Sequence, residues 1–118
     1  MVTALMVKPG GHPTITQLVD DRKYLDSAVS VDADYMLTAA ALKIEDGIAA
    51  LYSYEGSLMS LPPNRQMGSK IIAGTFYVVG VLNGNLRSLT DDEIARFTLR
   101  FWESEIHTDD EVLASWYP

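Results

Sequence analysis

One run of residues, IIAGTFYVVGVL (Ile71–Leu82), constrains this chain more than any other part of its sequence. It is apolar at nearly every position and rich in β-branched and aromatic side chains, which favours a strand. A strand with one wet face alternates apolar with polar residues. A run without that alternation is expected where both faces are covered. Asn83-Gly84 follows as a turn signal and ends the strand.

The other elements fall into place around this run. VTALMV (Val2–Val7) is β-prone, KPGGH supplies Pro and two glycines for a turn, and PTITQLV returns as a second strand. Asp20 and Asp21 can cap a helix through DRKYLDSAV, in which Tyr24, Leu25, Ala28 and Val29 recur at helical spacing. SVDADYM reads as a polar turn. MLTAAALKI and IAALYSY flank Glu45-Asp46-Gly47, so they read as two strands of a hairpin. LMSLPPNRQMGSK reads as an irregular loop, because Pro62-Pro63 neither donate to a ladder nor continue a helix. In SLTDDE, Thr90 and Glu93 make a capping box that starts a helix from about Asp91 to Ile106. The order ββαβββα predicts an α+β domain, with a mostly antiparallel sheet and helices packed on one face.

At 118 residues, one domain is expected over 1–118, with a core of about 2–105 and an acidic tail at 106–118. There are no cysteines, which removes disulfides, thiolate metal sites and thiol nucleophiles. MVTALMV is too short for a signal peptide or a membrane span, so a cytoplasmic protein without a membrane partner is expected. The net charge is −7, and Ser88–Pro118 alone sets eight acids against Arg96 and Arg100. That balance argues against direct nucleic-acid binding, whose affinity comes from Lys and Arg, and suits a basic partner.

Few constellations carry chemistry. Gly68-Ser69-Lys70 resembles the end of a phosphate loop, but the first glycine of that motif would fall at Pro63. Gly10-Gly11-His12 reads as a hairpin turn. His107 near Asp109, Asp110 and Glu111 reads as an exposed polar tail rather than a metal site. No nucleophile elbow accompanies the two histidines, so no triad is supported. No enzyme activity, cofactor or metal is expected.

Two groups remain. Asn64, Arg65, Lys70 and Thr75 lie beside the apolar run. They can form an anion or carboxylate site, with Arg65 as a planar fork, Lys70 as a point charge and Asn64 as an amide. Equally, Asn64 and Arg65 can lock their loop by bonding backbone groups or a carboxylate. The second group lies on the last helix, where Ile94, Phe97 and Phe101 form one seam and Ala95, Leu99, Trp102 and Ile106 another. One seam packs on the sheet. The other either lies under the tail EVLASWYP, covered by Trp116 and Tyr117, or forms a partner interface through Leu99, Trp102, Ile106 and Trp116. A second copy of the chain, in a homodimer, is one candidate partner.

LPPNR, IIAGTFYVVG and SLTDDEIARF with Phe101 also carry a resemblance. In this order they resemble a bacterial family of unknown function found in phages, plasmids and conjugative transposons, especially of Gram-positive bacteria. Leu61–Phe101 carries the motifs, the likeness extends loosely over residues 2–105, and the tail after Ile106 looks like an addition. The resemblance implies a small accessory protein of a mobile element, without established activity or catalytic residues. The expected role is binding a protein partner, such as one of the host or its defences. The alternative is a small anionic ligand or nucleotide held by Asn64, Arg65 and Lys70.

Overall fold

A computed structural model describes all 118 residues. The strands are β1 (Val2–Val7), β2 (Thr14–Leu18), β3 (Ala39–Glu45), β4 (Ile48–Ser53), β5 (Pro63–Met67), β6 (Lys70–Ala73), β7 (Phe76–Leu82) and β8 (Asn85–Arg87). The helices are α1 (Arg22–Ala28), α2 (Asp91–Arg100) and α3 (Asp109–Trp116). The main sheet runs β2-β1-β7-β4-β3, with β8 paired to the far end of β7, and β5-β6 forms a separate hairpin. Every pairing is antiparallel, so the α+β class expected from the sequence is present. No helix is long and apolar enough to cross a membrane.

The central strand explains the layers. On β7, Phe76 and Val78 point to one face, with Leu5, Val7, Ile48, Ala50, Tyr52, Phe97 and Phe101. Tyr77 and Val79 point to the other, with Ala4, Leu18, Leu25, Val29, Ala49 and Leu51. Thus α1 covers one face and α2 the other. The expectation of helices on one face is corrected here. A strand apolar on both sides leaves two surfaces to bury, and each takes a helix.

The run Ile71–Leu82 is also not one strand. Gly74 adopts φ +84°, and a Cβ there would meet Leu61 Cδ1 at 2.9 Å. The chain turns at that point, so β6 leaves for the hairpin while β7 enters the main sheet. The loop expected at Leu58–Lys70 is partly ordered as β5. Pro63 is the first residue of that strand, the position where a missing N–H is tolerated.

The last helix is shorter than expected. It ends at Arg100 with Phe101 as C-cap, six residues before Ile106, and a new helix starts at Asp109. The second start repeats the chemistry of the first. Thr90 accepts from the Glu93 amide, and Thr108 from the Glu111 amide, each with the reciprocal glutamate bond. The tail is therefore not a free polar extension. Val112 is buried with Leu37, Leu61, Ile71 and Ala73, and α3 lies against β6.

Candidate functional site

The Asn64-Arg65 pair sits where β5 breaks its register. Pro63 faces Ala73 while Gln66 faces Ile71, so β5 carries one extra residue. In a regular strand, successive side chains point to opposite faces; a bulge lifts that restriction. Asn64 and Arg65 both turn inward, at 1% and 0% exposure.

Their hydrogen bonds tie four segments together. Asn64 Nδ2 donates to the carbonyls of Val7 (3.0 Å) and Gly74 (2.9 Å). Arg65 Nη1 donates to Asn64 Oδ1 (3.0 Å) and the Lys8 carbonyl (3.3 Å). Arg65 Nη2 donates to the carbonyls of Gly11 and Phe101, both at 2.6 Å. The end of β1, the β1–β2 turn, the Gly74 bend and the end of α2 thus share one node. The guanidinium has four oxygen partners, none of them a carboxylate. Part of the compensation is the helix itself: Phe101 caps α2, where the unpaired carbonyls carry partial negative charge. Burial pulls the Arg65 pKa down and the charge of Glu105 opposes this, yet a guanidinium stays protonated. Arg65 Nε is left buried without a partner.

Lys70 and Thr75 do not join this node as ligands would. Lys70 Nζ donates to the Ser115 carbonyl (3.1 Å) and lies 5.1 Å from the centre of the Trp116 ring. It therefore supports the end of α3. Thr75 is fully buried, its amide donates to Asp32 Oδ2 at 2.6 Å, and its hydroxyl has no partner. The node has no solvent-facing donor, so what it can do chemically is fix backbone.

The proposed interface residues separate. Trp116 packs inward, stacked on Tyr52 at 5.3 Å, and its indole N–H donates to the Ile71 carbonyl at 2.7 Å. The tail thus covers the β5-β6 side and not the second seam of α2. Leu99 stays 80% exposed and Ile106 97% exposed. Trp102 is 44% exposed and stacks on the His12 ring at 3.9 Å with a 7° interplanar angle. His12 Nδ1 lies 2.7 Å from the Trp102 carbonyl, which fixes the tautomer with the proton on Nδ1. His107 Nε2 lies 2.9 Å from Glu105 Oε1, whose carboxylate also accepts from the Gln66 amide.

Two ion pairs hold α2 to the sheet, Arg96 with Glu45 of β3 and, more buried, Arg87 of β8 with Glu93. Arg87 grips Glu93 through two nitrogens at 2.8 and 2.9 Å. That guanidinium and the Thr90 bonds hold the Glu93 carboxyl down at about 2. Gly80 makes room for it, since a Cβ there would sit 2.5 Å from Arg87 Nη1.

A cleft of about 230 Å³ was not anticipated from the sequence. It lies between Asp32–Tyr35 and Met59–Pro62. The signal available was SVDADYM itself, where Tyr35 and Met36 follow Asp32 and Asp34 in a segment that otherwise reads as a turn. A second, more apolar hollow of about 300 Å³ lies over Ala41, Ala49 and Val81, beyond the reach of the short α1.

No curated protein and no solved structure matches the chain. A family model described as a domain of unknown function, DUF3846, matches residues 2–102, from β1 through α2. The match covers most of the chain, which therefore belongs to the DUF3846 family.

Proposed function

We propose that this is a non-catalytic accessory protein of a phage, plasmid or conjugative element, acting in the bacterial cytoplasm by binding a host or defence protein. The observation that carries the reading is the exposed surface at the end of α2 and in the segment that follows it. Leu99, Trp102 and Ile106 present apolar surface within an acidic stretch, and the tail that could have covered them packs elsewhere. Large exposed apolar side chains in a polar surround are a common mark of a protein interface, and tryptophan is a frequent anchor. The mobile-element setting rests on the motif resemblance. The anion-site alternative is weakened by the bonding of Arg65, whose terminal nitrogens already serve backbone and Asn64 oxygens.

The test is capture from extracts of candidate hosts, with wild type and the Leu99→Ala/Trp102→Ala pair compared at equal fold stability. A specific protein retained by wild type and lost by the double variant supports the reading. Identical retention by both, or unfolding of Trp102→Ala, removes the surface from consideration.

A further inference from the structure

We propose that the cleft between Asp32–Tyr35 and Met59–Pro62 receives a lysine or arginine side chain from an exposed basic segment of a protein partner. This surface is distinct from the end of α2 and shares only the premise that the protein binds another protein.

The walls supply what such a side chain needs. Asp32 and Asp34 bring carboxylates, Tyr35 brings a ring, and Met59, Leu61 and Pro62 bring apolar surface. A long cationic side chain lays its methylenes along apolar walls and keeps its charge beside carboxylate and ring. Asp32 is oriented by the Thr75 amide at 2.6 Å through one oxygen. The Tyr35 hydroxyl lies 3.7 Å from Met59 Sδ, which links the two walls. Asp34 forms no ion pair. At about 230 Å³ the space falls below the usual range for a drug-sized ligand and suits a single side chain.

Charge selects the occupant. The two wall-bearing segments lie within residues 24–42 and 44–64, and neither stretch contains a lysine or arginine. The only charged residues that line the cleft are Asp32 and Asp34, both negative. Around the cleft, Val31, Met36, Leu58 and Met59 are exposed on the same two segments. They offer a partner segment apolar contacts on either side of its cation, and methionine adapts to varied partners. A basic peptide with flanking aliphatic residues fits both features. An anionic ligand would meet like charge, and a purely apolar one would leave the carboxylates unpaired.

The experiment uses the full chain, labelled for NMR, titrated with acetyl-Ala-Leu-Arg-Leu-Ala-amide and with the same peptide carrying glutamine for arginine. Saturable shifts of the amides of Asp32–Tyr35 and Met59–Leu61 with the arginine peptide are expected. The glutamine peptide and the Asp34→Asn variant should each weaken binding at least fivefold. Asp34 is chosen because it has no ion pair to lose, whereas Asp32 holds the Thr75 amide. No saturation at millimolar peptide overturns the proposal. So does equal binding of the glutamine peptide, which would mark an apolar groove, or shifts centred on the acidic residues 91–111, which would mark diffuse electrostatics. Each failure would leave Trp102-dependent capture standing as the separate test of the α2 surface.

Discussion

Phe101 and Trp102 are neighbours that belong to opposite regimes. Phe101 is buried and gives its carbonyl to Arg65, a cation with no exposed surface. Trp102 is 44% exposed and lies between Leu99 and Ile106, which stand largely in water. Both regions break the ordinary partition of polar outside and apolar inside, and such inversions are the informative ones. They differ in how the inversion is resolved. The buried guanidinium finds its compensation within the chain, in three carbonyls and an amide oxygen. Of the exposed apolar residues, Trp102 stacks on the His12 ring, while Leu99 and Ile106 stay largely in water. A polar group satisfied internally is architecture; apolar surface left uncovered is available for something else.

The comparison is broken most directly at the node. Arg65→Ala leaves four oxygens, two of them in fully buried bonds, without this donor and is expected to cost about 4 kcal/mol in urea denaturation. Arg65→Lys should recover less than half, because one ammonium cannot reproduce the two-nitrogen fork. Near-wild-type stability of either variant would mean that the carbonyls find other donors. Asn64→Ala removes two donors and one acceptor from the same node and should cost about 2 kcal/mol, measured the same way.

The next largest effect lies at the other end of α2 and depends on pH. The Glu93 carboxyl is held at about 2 by Arg87 and Thr90, below its ordinary 4.5. A lowered folded-state value means that the unfolded chain binds the proton more readily. The stabilisation is therefore complete above about 4.5 and is lost as pH falls toward 2. Glu93→Gln should flatten this part of the stability curve and lower stability at pH 7 by about 2 kcal/mol. A curve of unchanged steepness would place the acid sensitivity elsewhere.

The smallest effect is expected outside. Trp102→Ala gives up a stack on His12 and the covered half of a side chain that stands at the surface, so its cost should stay within about 1.5 kcal/mol. A larger loss by thermal melting would move Trp102 to the inside of the comparison.

Much of this was legible in the sequence for local reasons. The Thr90 capping box, the Asp-Gly and Asn-Gly turns and the strands depend on residues close together in the chain. The second helix start, TDDE at Thr108–Glu111, is spelled identically to the one at Thr90–Glu93 and was open to the same reading. The unalternating β7 also carried the two-helix-face arrangement within it. What was not legible depends on distant partners. Arg65 meets Lys8, Gly11 and Phe101 from across the chain, and a carbonyl carries no side-chain signature. The bend at Gly74 depends on Leu61 packing beneath it, so the apolar run hid its own break. The cleft at Asp32–Pro62 exists only because two loops, each unremarkable alone, meet.

The most direct test of the central contrast is one paired urea titration of Arg65→Ala and Trp102→Ala beside wild type. The account predicts a large fall in midpoint for Arg65→Ala, with Trp102→Ala close to wild type. The reverse order would contradict it: a stable Arg65→Ala would show that the buried guanidinium is not what holds these segments together, and an unstable Trp102→Ala that the exposed end of α2 belongs to the core.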